Sequence, residues 1–342
     1  MKILVTGGTG YIGSHTVVEL QQAGFEVLII DNLSNSSEVV VDCIEKITSK
    51  KPHFEKIEMC NFNEMDSLFA NNTDIVAAIH FAAKIEVGES VKHPLMYLEN
   101  NLLSQINLLK CLEKYAIKNV VFSSSCTVYG NPDSLPVNEN ATIKKAESPY
   151  GSTKQMGEEI LEHTVKSFNL QNISLRYFNP IGNHKSNLIG EIPHGVPSHL
   201  VPYLTQTALG IRQYLNVFGG NYNTIDGTCV RDYIHVVDIA RAHVVAIERL
   251  IQNKNKSNYE VFNLGTGIGF SVLQMIQAFE NATGIKINYK IIERRSGDVE
   301  AVYADTTKAN NELGWKAEIS VEEMMRSAWE WEKRLQKEKN KL

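Results

Sequence analysis

The chain has 342 residues, 43% of them hydrophobic and 21% charged, an ordinary globular composition. At about 150 residues per domain this length allows two domains, or one large one with an appended lobe. Its 34 basic and 39 acidic residues give a net charge of −5, and no basic stretch offers a face to nucleic acid.

No apolar run approaches the roughly 18 residues of a membrane span. A glycine loop beginning at residue 7 leaves no room for a cleavable leader, so the cytoplasm is the expected setting. The five cysteines (Cys43, Cys60, Cys111, Cys126, Cys229) are odd in number and form no C-x-x-C, which fits free thiols in a reducing compartment. The ten histidines have no ligand-like spacing, and no metal is assigned.

KILVTG, from Lys2, is a short apolar run stopped by glycine and reads as a strand. A helix is expected over 11–24, with Ile12, Val17 and Leu20 at helical spacing and Gly24 as its cap. FEVLIID (25–31) is a second strand, and IEKI (44–47) belongs to a helix ahead of the loop KKPHF. KIEMC (56–60) reads as a third strand and DIVAAIHFAA (74–83) as a fourth. The helix 102–117 leads to NVVFSSS (119–125), and the helix 150–168 leads to NISLRYFN (172–179). Near-continuous apolar strands alternating with helices imply an α/β fold with a Rossmann-type, doubly wound parallel sheet.

Past Asn179 the texture changes. Residues 179–202 hold four prolines and three glycines with no period of their own, as functional irregular segments often do. Strand–helix patterning resumes over 228–252, 259–267 and 271–284. The expected division is a nucleotide-binding domain over 1–179, to which the chain returns near 235–265, and a smaller C-terminal substrate-binding lobe over 180–342. The charged run EKRLQKEKNKL (332–342) reads as a solvated, fraying helix end.

Gly7, Gly10 and Gly13 form G-x-x-G-x-x-G between the first strand and helix. The first permits a tight turn, the second lets backbone approach a pyrophosphate, and the third lets helix pack on strand. The helix N-terminus then presents free N–H groups to phosphate. Asp31 ends the second strand, 18 residues past Gly13, where a carboxylate accepts ribose hydroxyls and repels a 2′-phosphate, favouring NAD over NADP.

Tyr150 and Lys154 lie four residues apart near a helix start, on one face. An ammonium beside a phenol favours phenolate, so the pair suits a general base for a substrate hydroxyl. Ser125 ends the fifth strand, where ligands sit in doubly wound sheets, and can hydrogen-bond the reacting oxygen.

The stretches VTGGTGYIGSH, DNLSNS, IHFAA, VGES, Asn100-Asn101, FSSSCTVYG, SPYGSTK, LRYFNPIG, DGTCVRDYIHV, VFNLGTG and GDVEAVYAD run from Lys2 to Asp305. In them the chain resembles the extended short-chain dehydrogenase/reductases, and among these the UDP-glucose 4-epimerase family. The resemblance implies reversible 4-epimerisation of UDP-glucose and UDP-galactose through a 4-keto sugar. Tyr150 would act as base, Ser125 would assist the proton, and Lys154 would tune Tyr150 and hold the nicotinamide ribose. It carries NAD contacts to Tyr11, Ile12, Asp31, Asn32, Leu33, Ser34, Asn35, Ser36, Phe81, Ala82, Ala83, Asn100 and Phe178. Arg231 and Arg295 would face the substrate diphosphate, whose oxygens suit the planar guanidinium. Asn179, Phe218, Tyr233 and Asp298 match substrate-side positions, although by residue type alone Phe218 and Tyr233 read as core aromatics. The family is homodimeric through long helices, and apolar stripes in LLSQINLLKCL and MGEEILEHTV allow that, as they also allow intrachain packing.

Three places depart from the family pattern. At the expected end of the third strand Asn61 and Phe62 stand where the adenine is contacted. Ile85 takes the register of a lysine, with Lys84 just before it. Pro197-Ser198-His199-Leu200 replaces the usual segment, placing His199 at the substrate, and Val302 holds the position that gates the hexose. A small side chain there suggests room for a 2-acetamido group, hence UDP-GlcNAc or UDP-GalNAc. A 4,6-dehydratase needs a carboxylate where Cys126-Thr127 follow Ser125. A UDP-uronate epimerase or decarboxylase, and a non-catalytic NAD-binding module, remain as alternatives.

Overall fold

The computed structural model describes residues 1–193, 195–295 and 298–339. β1 (Lys2–Thr6) is joined by α1 (Tyr11–Gln22) to β2 (Glu26–Asp31), and α2 (Val39–Thr48) leads to β3 (His53–Lys56). α3 (Phe62–Asn71), β4 (Ile75–His80), α4 (Val87–Lys92), α5 (Pro94–Lys114), β5 (Asn119–Ser125), α6 (Pro149–Ser167) and β6 (Gln171–Tyr177) follow. Then come β7 (Asn179–Ile181), α7 (Leu200–Ala208), β8 (Leu215–Phe218), β9 (Val230–His235), α8 (Val236–Ile251) and β10 (Tyr259–Leu264). β11 (Gly269–Ser271), α9 (Val272–Thr283), β12 (Tyr289–Ile292), β13 (Ala301–Val302) and α10 (Val321–Lys339) complete the described chain.

One sheet has the order β10-β6-β5-β4-β1-β2-β3, with every adjacent pair parallel. Its period of two sends Ile3, Val5, Ile29 and Ile79 to one face, beneath Val17 and Leu20 of α1 and Ile247 of α8. Leu4, Leu28, Ile30 and Ala78 go to the other, beneath α3, α5 and α6. Both faces are dry, as a wholly parallel sheet requires. In the second layer β9 is central, antiparallel to β11 and parallel to β7 and β13, while β8 and β12 form a separate pair. Their core joins Leu204, Met275, Phe279, Met324 and Met325.

The strand order reverses between β1 and β4, which opens a crevice beyond their C-terminal ends. There Gly7 has φ +69°, and a Cβ on it would lie 2.8 Å from the Ala82 amide nitrogen. That amide donates to Thr6 Oγ1 at 3.2 Å, tying the two strand ends together.

Four expectations need correction. The third strand is His53–Lys56 rather than 56–60, because an edge strand with an exposed-to-half-buried pattern carries little apolar signal. α5 starts at Pro94 and ends at Lys114, not 102–117; buried Asn101, Ser104, Gln105 and Asn107 interrupt its apolar period. The irregular stretch after Asn179 opens on β7 and closes into α7. Of the charged run 332–342, residues 340–342 lie outside the described residues, and the rest is an ordered end of α10. Leu335 and Glu332 are buried there, with Thr205 Oγ1 donating to Glu332 Oε2 at 3.2 Å.

Two glycine substitutions have opposite expected signs. In Gly13→Ala the new Cβ meets the Gly7 carbonyl oxygen at 2.3 Å, so a loss of about 1–3 kcal/mol is expected. Gly88 lies in α4 with nothing within 4 Å of an added Cβ, so Gly88→Ala gains about 0.5–1 kcal/mol. Thermal unfolding of both variants checks the pair.

Candidate active site

The glycine loop leaves the head of α1 open to an anion. Gly10 is the N-cap and has no side chain to cap the helix, so the first-turn amides are directed at the crevice. A Cβ at Gly13 would strike the Gly7 carbonyl, and one at Gly10 would lie 3.2 Å from it, so the cradle exists only without side chains. Asp31 holds the loop from the neighbouring strand end. Its Oδ1 accepts from Leu33 N at 2.9 Å and Ser36 Oγ at 3.1 Å, and its Oδ2 accepts from Thr9 N at 3.3 Å. The cradle and the flanking carboxylate fit a dinucleotide.

The other predicted cofactor residues lie around this crevice, with two exceptions. Tyr11 heads α1 and donates to the Gly182 carbonyl at 2.5 Å. Residues 32–36 follow β2, with Asn32 Nδ2 donating to Glu58 Oε2 at 2.8 Å. Phe81, Ala82 and Ala83 follow β4, where the Phe81 ring packs 4.6 Å from the His243 ring. The carbonyl of Asn100, on α5, faces Cys60 Sγ at 3.7 Å. Phe178 is buried between β6 and β7.

Asn61 and Phe62 are the exceptions. β3 ends five residues earlier, and Asn61 is the exposed N-cap of α3: its Oδ1 accepts from Asn63 N at 3.1 Å and its Nδ2 donates to Glu64 at 2.7 Å. Phe62 packs onto the α3–α5 core. The residues beside the end of β2 are instead Ile57, whose amide donates to the Asp31 carbonyl, and Glu58. An earlier strand boundary would have revealed this register.

Ser148 caps α6, accepting from Gly151 N at 3.1 Å, and Pro149 fills the first helical position. Tyr150 is therefore held in the first turn and Lys154 in the second. Lys154 is only 4% exposed. Its Nζ donates to the Ser123 carbonyl at 2.6 Å and lies 5.8 Å from the Tyr150 ring centroid. Burial lowers the Lys154 pKa to about 8, against a raising influence from Glu158. Burial likewise pushes the Tyr150 phenol above its ordinary value, and a hydrogen bond with Ser125 opposes the rise. The expected lowering by Lys154 thus does not prevail in the protein by itself, because the phenolate must form in a dry site.

Ser125 ends β5 with its Oγ accepting from Thr127 N at 3.2 Å. Thr127 was not singled out in the sequence. Its Oγ1 is buried with no hydrogen-bond partner among the described residues, which leaves a polar atom beside Ser125 for a ligand.

The second layer contributes charge. Arg231 on β9 and Arg295 both reach Asp298, at 3.7 and 3.3 Å. The Arg295 guanidinium lies 4.8 Å over the Phe218 ring. Val302 pairs with Arg231 in register and is buried with Phe178. Asn179 Nδ2 donates to the Asp232 carbonyl at 2.9 Å. Asp232 itself is fully buried and accepts from Thr266, Gly267 and Ala304 amides at 2.9–3.1 Å, joining three segments behind Arg231. Tyr233 is buried in the core of this layer. His199 precedes α7 and pairs with Glu191 at 2.7 Å.

A family model described as GDP-mannose 4,6 dehydratase matches residues 4–328. The chain is 47% identical to the UDP-glucose 4-epimerase of Bacillus subtilis, covering 97% of each chain. It is 45% identical to that of Homo sapiens, covering 97% of this chain and 96% of the relative. Among solved structures, the Stenotrophomonas maltophila UDP-glucose 4-epimerase with bound NAD and formylated UDP-arabinopyranose superposes with TM-score 0.95, at 45% identity and 99% coverage of both chains. The Bifidobacterium longum enzyme in complex with NAD+ and UDP superposes with TM-score 0.92, at 44% identity and 98% coverage of both. Since the likeness extends through the second layer and is not confined to the cofactor half, the chain belongs to the UDP-glucose 4-epimerase family.

Proposed function

We propose that this protein interconverts UDP-glucose and UDP-galactose by inverting C4 of the hexose. The observation that carries the reading is the meeting of Tyr150, Lys154 and Ser125 at the strand ends that also hold the glycine cradle. NAD bound there supplies a reversible acceptor for the C4 hydrogen. The glycine cradle and α1 amides would hold its pyrophosphate and Asp31 its adenosine ribose. Glu58, rather than Asn61, would stand at the adenine. Tyr150 takes the proton of the sugar 4-hydroxyl, and Ser125 hydrogen-bonds the same oxygen. The Lys154 ammonium and the positive nicotinamide offset the burial that otherwise keeps the phenol protonated.

Arg231 and Arg295 bind the diphosphate in exchange for their shared contact with Asp298. Asn179, Thr127, His199, Phe218 and Val302 line the sugar side, and Tyr233 supports it from the core. The two-part division at residue 179, with the chain returning near 235–265, belongs to the same reading. Cys126 and Thr127 leave the dehydratase reading without its acid after Ser125.

Among the described residues no helix is long and apolar enough to cross a membrane, and five free thiols fit the cytoplasm. The protein would act as a homodimer. The stripe of α5 is spent on its own core through Leu108, Leu109 and Leu112. Val91 on α4, Leu95 on α5 and Met156 on α6 are instead exposed, at 41–78% accessibility.

Tyr150→Phe is expected to retain NAD and UDP binding and lose on the order of 10²–10⁴ in kcat; unchanged turnover removes the tyrosine from the mechanism. Proton NMR of UDP-galactose with the purified protein and no added nicotinamide should record the gluco epimer. The same assay with UDP-N-acetylgalactosamine should also give product, because Val302 is small; no conversion beside full activity on UDP-galactose refutes that. Leu95→Glu should convert a dimer to monomers in light scattering without loss of helical signal.

A further inference from the structure

Tyr150 and Lys154 continue one turn further to Glu158 on the same face of α6. Glu158 is 7% exposed and its carboxylate is fully engaged. Oε1 accepts from Ser124 Oγ at 2.5 Å and Arg176 Nε at 2.9 Å, and Oε2 accepts from Arg176 Nη2 at 2.5 Å. Ser124 and Arg176 are register partners across β5 and β6. Arg176 is anchored in turn, its Nη1 donating to Tyr129 OH at 3.0 Å, which donates to Asn263 Oδ1 at 2.6 Å. Lys154 Nζ binds the carbonyl of Ser123, the residue just before Ser124. The helix carrying the base and the strand carrying Ser125 are thus joined by one buried carboxylate.

Resting on the catalytic reading above, we infer that Glu158 is a positioning residue for the reaction: clamped by Ser124 and Arg176, it sets α6 against β5 and holds a carboxylate one helical turn from Lys154. Two cations, Lys154 and Arg176, are buried here; Glu158 pairs with Arg176 and lies one helical turn from Lys154 on α6. Without it the charged form of Lys154 is disfavoured by burial and loses the carboxylate that opposes that burial.

The other titratable groups facing this cluster do not change charge near neutrality. His80 on β4 is pushed down to about 3 by burial and by Lys154, so it stays neutral. Cys126 and Tyr129 are pushed up to about 12 by burial, and Tyr177 and Tyr259 are raised as well. Arg176 stays charged through Glu158. Lys154, at about 8, is the member whose charge is lost as pH rises just above neutrality.

The test is the pH profile of kcat for UDP-galactose in the NAD-loaded protein, comparing Glu158→Gln and Glu158→Asp with the native chain. In Glu158→Gln the alkaline limb should move down by about one pH unit or more, so that turnover at pH 8 falls roughly tenfold, with KM and bound NAD little changed. Glu158→Asp keeps the charge and should restore most of the limb. If Glu158→Gln does not fold, Glu158→Gln combined with Arg176→Gln removes the stranded cation and should still show the lowered limb. A native alkaline limb in the folded single or double variant overturns the proposal. Tyr150→Phe run alongside separates the two failures: full activity there defeats the catalytic reading, whereas inactivity there with a native Glu158→Gln profile defeats only the role of Glu158.

Discussion

Backbone against backbone at the end of β1 is the constraint on which the rest of the molecule depends. Gly7 turns left-handed beneath the Ala82 amide, and Gly13 brings α1 down onto the Gly7 carbonyl. Neither approach tolerates a Cβ, so α1 starts close to the sheet with its first amides free. The same geometry brings the ends of β1 and β4 together through Thr6 and places the reversal of strand order there. A crevice at this point is the natural seat of a dinucleotide.

A parallel sheet buried on both faces has a second consequence. Polar groups within it must be satisfied by one another, since water is excluded. The serines of β5 illustrate this. Ser123 offers its carbonyl to Lys154, Ser124 its hydroxyl to Glu158, and Ser125 opposes the rise that burial imposes on the Tyr150 phenol. One strand end thereby reads three successive turns of one helix. Dryness makes the phenol hard to ionise and the ammonium hard to keep, so the site's protonation states rest on charge arrangement rather than on solvent. Breaking a buried ion pair such as Glu158–Arg176 typically costs about 3–5 kcal/mol, which makes this network structural as well as electrostatic.

The second layer solves a different problem, holding the Arg231 and Arg295 guanidinium groups together about the one carboxylate they share, Asp298. Asp232 contributes without touching the crevice: its buried carboxylate gathers β9, the turn at 265–267 and Ala304, fixing the backbone that carries Arg231 and Val302. Gly265 is required by that closeness, since a Cβ there would fall 2.4 Å from Asp232 Oδ2.

Local pattern alone determined the sheet, the glycine cradle, Asp31 and the Tyr150–Lys154 pair, because each depends on a period or spacing within one or two elements. β3 escaped because an edge strand need not be apolar, and the error assigned Asn61 and Phe62 to the register beside the end of β2 that Ile57 and Glu58 occupy. The start of α5 escaped because its inward residues are asparagines and a glutamine bonded to distant partners, such as Gln105 to the Gly157 carbonyl. Glu158, Arg176, Asp232 and Thr127 are ordinary letters in the sequence. Their meaning comes from long-range burial: a carboxylate or hydroxyl becomes decisive only when folding removes water from around it and leaves named neighbours in its place, and that is a property of the tertiary structure.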